Sequence, residues 1–107
     1  MVKQFDVHMV NLDPTIISEM KKARPCLILS PKEMNSVLGT VIKAPMATTL
    51  HGYPSRLELG FNNKFCEVCL DQKRAVDGTR LSKQSLGRIK SDESESVKDI
   101  IAKMFDL

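Results

Sequence analysis

The sequence predicts a mainly β, α+β fold in which short strands curl into a small barrel or strongly bent sheet, with one helix at the C-terminus. Short apolar runs bounded by Gly, Pro or Asn fill the first ninety residues, whereas residues 93–106 change to helical spacing. A chain of 107 residues is long enough for one core but not for two, so residues 1–107 are read as one domain.

"FDVHMVNL" (5–12) alternates and stops at "DPT". His8, between Val7 and Met9, is expected toward solvent or a polar edge. "RPCLILS" (24–30) is a nearly continuous apolar run closed by Pro31, and "SPKEMNSV" (30–37) has room for one helical turn. "GTVIKAP" (39–45), "SRLELG" (55–60) and "FCEVCL" (65–70) read as further strands, with shorter ones in "AVDGTRL" and "LGRIK". Near the end, Asp92 and Glu95 mark a helix start. Val97, Ile100, Ile101, Met104 and Phe105 then form an apolar stripe expected to cover the barrel.

With 42% apolar and 27% charged residues and no run of eighteen apolar positions, the composition is that of a soluble chain without a membrane span. "MVKQFDVHMV" lacks an apolar signal core, and the odd cysteine count fits a reducing compartment, so a cytoplasmic location is expected. "CEVC" is not read as a metal pair: residues three apart on a strand point to opposite faces, and no second Cys/His pair stands at ligand spacing. The formal charge of +3 is uneven. Residues 91–107 carry five acids and two lysines, which leaves fourteen bases and eight acids in the first ninety residues. A basic body points to an anionic partner such as nucleic acid.

Several stretches occur together in order: "VNLDPT" followed by "SE", "RPCLILSP" with Asn35 beyond it, "APM…T…GYP", and "LDQKRAVDGTRL". This combination resembles the MazF/PemK (Kid-type) toxins of bacterial toxin–antitoxin modules, over the chain from Phe5 to the terminal helix. The resemblance implies an SH3-like β-barrel, shared with the CcdB-like toxins, that acts as a homodimer. It further implies cleavage of single-stranded RNA with no metal or cofactor, and a cognate antitoxin whose acidic, partly disordered segment covers the cleft.

Metal-free RNA cleavage uses the adjacent 2′-hydroxyl as nucleophile, and needs a base, an acid for the leaving 5′-oxygen, and positive charge on the phosphate. The "RP" match makes Arg24 the candidate for that charge; its planar fork of donors suits phosphate oxygens better than a lysine would. The family's catalytic threonine or serine falls on Ala47. Thr48 is the candidate replacement, provided the chain leaves strand geometry there, because adjacent strand residues face opposite ways. Asp71 matches the "DQ" aspartate as a base or orienting carboxylate. Candidate RNA contacts are Glu19, Lys21, Lys22, Thr49, His51, Tyr53, Arg56, Gln72, Lys73 and Arg74. Among these, His51 is an alternative acid or base and Tyr53 a stacking surface.

Two other readings stand beside the nuclease. One is a catalytically weakened relative that regulates by binding antitoxin or RNA. The other is a gyrase-poisoning toxin, disfavoured because "IIAKMFDL" does not resemble the helix tip of that group.

Overall fold

The computed structural model describes residues 2–12 and 23–106. The strands are β1 (Asp6–Asn11), β2 (Ala23–Ile28), β3 (Thr40–Ala47), β4 (Arg56–Phe61), β5 (Lys64–Cys69), β6 (Arg74–Asp77) and β7 (Gly87–Arg88). The helices are α1 (Lys32–Leu38) and α2 (Ser91–Met104). Among the described residues the strands form one antiparallel, seven-stranded sheet in the order β4-β5-β3-β2-β1-β7, with β6 also paired to β3. It curls into a half-barrel packed against α2, so the expected mainly β fold with a C-terminal helix is what forms.

Proline and turn chemistry shape the part of the sheet that matters. Pro45 has no N–H to give to the ladder. At that point the far edge of β3 changes partner, from β6 at Thr40–Lys43 to β5 at Met46 and Ala47. The intervening chain leaves the sheet as a 3₁₀ turn at Leu70–Gln72, which carries Asp71 out of the strand. The β4–β5 hairpin closes through Asn62 and Asn63, with φ of 50° and 62°. Positive φ at both turn residues matches the twist of the flanking strands, and asparagine tolerates it. That turn pins the register that sets Arg56 across from Cys69 and Leu57 across from Val68.

The two faces of the sheet bury different things. The main core gathers Val7, Leu27, Ala44, Met46, Val68 and Leu70 under Val97 of α2, with Ile100 and Ile101 packed against it. On the other face a smaller cluster holds Val10, Cys26, Ile28, Val41 and Leu81. The α2 stripe thus covers the sheet through its first three members, while Met104 and Phe105 are exposed. α2 also starts earlier than expected, with Glu93 Oε1 accepting the Lys90 N–H at 2.8 Å.

Two further expectations change. The stretch after Pro31 is a seven-residue helix, not one turn; it ends on Gly39 in the left-handed conformation, φ 69°. Its buried Asn35 accepts from the Ser30 hydroxyl at 2.5 Å and donates to the Val2 and Ser30 carbonyls. His8 is not solvent-facing but only 3% exposed. The chain after β6 folds back along β1, where Ser82 and Leu86 donate to Met9 and Val7 carbonyls. There His8 Nδ1 lies 3.0 Å from the Ser82 carbonyl oxygen.

Candidate functional site

Strand register assembles the site. β2 and β3 pair with Cys26 across from Pro45; continued two residues, that register brings Arg24 level with Ala47. On the other edge of β3, Ala47 pairs directly with Glu67 of β5. Arg24, Ala47 and Glu67 therefore form a row across three strands on one face. Arg24 is exposed, and among the described residues its guanidinium forms no ion pair.

Glu67 is the opposite case, its side chain 0% exposed. Arg56 Nη1 donates to its Oε2 at 2.6 Å, and the His51 backbone N–H donates to its Oε1 at 2.6 Å. The same guanidinium turns its other nitrogens to Asp71: Nε lies 3.1 Å from Oδ1 and Nη2 3.3 Å from Oδ2. The Ser55 hydroxyl adds a bond to Oδ1 at 3.1 Å. Arg56 holds both carboxyls below the usual range, against the opposing effect of burial, and they in turn raise the arginine. Asp71 is thereby kept ionised with both oxygens occupied. That suits an orienting carboxylate better than a base that must take up a proton.

The loop after β3 is held by this cluster. Besides the His51 N–H bond to Glu67, the His51 ring stacks on Tyr53 with centroids 5.1 Å apart and 26° between planes. The Arg56 guanidinium lies 4.8 Å from the Tyr53 centroid and places Nη1 3.3 Å from His51 Nδ1. His51 Nδ1 also lies 3.5 Å from Glu67 Oε2, so the ring sits between the arginine and the carboxylate it pairs with. Gly52, at φ 71°, makes the turn between the two rings. Tyr53 remains half-exposed, a rigid flat surface.

The other candidates fall in different places. β3 keeps strand geometry through Ala47, and Thr48 lines a cavity of about 190 Å³ with Met9, Pro25, Met46 and Cys66. Those four alternate to the face opposite Arg24, so the structure does not bring Thr48 and Arg24 together. Thr49 and Gln72 are exposed. The Lys73 amine lies 4.5 Å from the Phe105 ring centroid and 3.4 Å from the Leu70 carbonyl oxygen, turned toward the end of α2. Arg74 is exposed at the start of β6. Glu19, Lys21 and Lys22 lie outside the described residues.

Two charged residues of the site escape sequence reasoning. Glu67 in "FCEVC" and Lys43 in "VIKAP" read only as interruptions of apolar strands. A charge embedded in a buried-strand pattern was the available signal, since such a charge needs a partner. Lys43 lies on the Arg24 face and is 3% exposed; burial lowers its ammonium. Burial also pushes the neighbouring Cys26 thiol up to about 11, against the pull of Lys43 and Arg24.

Comparison with known proteins places the chain in a family. The family description "PemK-like, MazF-like toxin of type II toxin-antitoxin system" matches residues 3–105. The chain belongs to this family. Among solved PemK/MazF structures it is similar to Mycobacterium tuberculosis toxin MazF-mt6, at 25% identity and a TM-score of 0.78 over 95% of this chain and 97% of that one. MazF from Deinococcus radiodurans matches at 22% identity and TM-score 0.81 over 99% and 97%. A mycobacterial endoribonuclease in complex with its cognate antitoxin matches at 18% and 0.83 over 100% and 97%. No curated protein sequence matches the chain. No helix among the described residues is long and apolar enough to cross a membrane.

Proposed function

We propose that this PemK/MazF-family toxin is a cytoplasmic endoribonuclease that cuts single-stranded RNA as a homodimer, thereby inhibiting translation and growth. A cognate antitoxin blocks it through an acidic segment that orders on binding. The observation that carries the reading is the row in which exposed Arg24, without an ion pair among the described residues, stands beside the Arg56–Glu67–Asp71 cluster. In the reaction the ribose 2′-oxygen attacks phosphorus and loses its proton. The bond from phosphorus to the 5′-oxygen breaks, leaving a 2′,3′-cyclic phosphate and, once protonated, a 5′-hydroxyl. Arg24 stabilises the charge that builds on the phosphate oxygens, and Asp71 orients Arg56 and the loop bearing His51 and Tyr53. The carboxylate oxygens of the cluster are engaged by Arg56, so they are poor metal ligands. Cleavage is therefore expected to survive a chelator.

Mapping cleavage of a long RNA by primer extension tests this. Cuts with 5′-hydroxyl ends in chelator support it, whereas 5′-phosphate ends or loss of activity in chelator sink the 2′-hydroxyl route. Sizing that finds only monomer at micromolar concentration removes the dimer. A second reading, the weakened relative, is favoured by one feature: the row carries Ala47 where the family has a hydroxyl, and Thr48 faces away. Under it the parent cuts nothing and Ala47→Thr gains cleavage.

A further inference from the structure

Among the described residues, Lys43 pairs with no carboxylate. It projects from β3 on the face shared with Val41 and Cys26, almost fully buried. Its register partners are Ile28 on β2 and Arg74 on β6. Like charges directly opposite each other in an antiparallel pair repel, and burial adds the cost of removing water from an ammonium. Among the described residues, every group facing it deepens the imbalance or leaves it alone. Arg74 comes from β6, and Arg24 stands further along β2. Cys26 stays a neutral thiol, and beyond it on β1 the His8 ring bonds the Ser82 carbonyl. Asp77 of β6 alternates to the other face, with its carboxylate taken by the Thr79 N–H and hydroxyl. Among the described residues the carboxylates found in ion pairs are Asp6, Glu67, Asp71 and Glu95, and none of them pairs with Lys43, Arg24 or Arg74.

We propose that Lys43 and Arg74 together bind a backbone phosphate of single-stranded RNA, next to the phosphate held by Arg24. The proposal rests on the nuclease reading and extends its site along β3. Lys43 stands four residues from Ala47, the position level with Arg24, or about 13 Å along the strand. Two long side chains can close that gap to the spacing of neighbouring phosphates on an extended RNA. An ammonium and a guanidinium on facing strands suit one phosphate group, whose oxygens accept from both at once. The anion would remove the Lys43–Arg74 repulsion and give the ammonium an acceptor. Continuity with Arg24 favours RNA over an acidic protein segment as the occupant.

The test uses the full chain and an RNA oligonucleotide of 2′-O-methyl riboses, which binds but lacks the attacking hydroxyl. Lys43→Met is expected to weaken binding about tenfold. It is also expected to flatten the plot of log affinity against log salt by about 0.7, the share of one phosphate contact on a single strand. Lys43→Arg should restore most of both. A lysine with only a structural role would change the melting temperature and leave the salt slope alone. A folded Lys43→Met with parental affinity and slope overturns the proposal. So does a variant that loses polyglutamate while keeping RNA, which assigns the face to an acidic protein. If Lys43→Met does not fold, Arg74→Gln gives the same measurement on the exposed partner. If the parent binds no RNA, the RNA assignment falls together with the nuclease reading, and pyrophosphate then decides the anion site by itself. Thermal protection of the parent but not of the variant keeps that site; equal protection, or none, removes it.

Discussion

The two charged regions on this face of the sheet are built on opposite plans. Around Glu67 every charge has a partner: one guanidinium bridges two carboxylates, and backbone and hydroxyl donors take up further oxygen valences. Around Lys43 there are cations alone among the described residues. A buried charge persists only when something compensates it. The first region is compensated within the chain, and so serves as framework for the β3–β4 loop. The second lacks that compensation and is suited to an anion arriving from outside. Net charge alone hides this contrast, because both regions contribute arginines.

The largest effect that would break the comparison is on catalysis. Arg24→Ala is expected to slow cleavage by about a hundredfold or more, as for other preorganised donors, and to weaken RNA binding much less. Equal losses in rate and binding would make Arg24 one phosphate contact among many. Next comes the paired region, where Arg56→Gln leaves buried Glu67 without its cation and should clearly lower the melting temperature. It should also change the acid limb. Glu67 and Asp71 are held below their ordinary values of 4.5 and 3.8, with Arg56 the first cause for each. Depressed carboxyls contribute stability that is fully present above those ordinary values and is lost as pH falls through the lower, folded-state values. Melting temperature should therefore drop below about pH 4.5 in the parent and drop less, or rise, in Arg56→Gln. Identical acid limbs would mean that the pairing is not formed in solution. The smallest effect is expected at Thr48. With its side chain on the cavity face, Thr48→Ala should leave the cleavage rate within about threefold, the scale of a surface change. A loss as large as that of Arg24→Ala would mean that the β3–β4 loop rearranges when RNA binds.

Legibility in the sequence followed the range of the interactions. Alternation and turn residues located the strands within one or two positions, except that Gly78–Arg80 of "AVDGTRL" is a 3₁₀ turn and not strand, and helical spacing located α2, because these are local consequences of backbone geometry. Two of the departures, His8 and the outer end of the α2 stripe, came from chain distant in sequence: residues 81–87 cover His8, and Phe105 overhangs the sheet to meet Lys73. At the candidate site, motif order pointed to Arg24 and Asp71, and basic character to Arg56. It offered no way to see that Arg56 is committed to Asp71 and Glu67, or that Glu67 and Lys43 stand on the same face as Arg24.

By itself the sequence determined the family, the mainly β fold with its terminal helix, and the alanine–threonine order at positions 47 and 48. Each of these is written in residue types at fixed spacings. Only the tertiary structure decided which charges meet. Glu67 reaches Ala47 because Pro45 interrupts one ladder of β3 and a 3₁₀ turn lets another begin. Thr48 turns from Arg24 because β3 stays extended one residue too long for it. Lys43 faces Arg74 through a register set by strands thirty residues apart. Such pairings depend on where distant segments are brought together on folding, and that placement cannot be read from any single stretch of the chain.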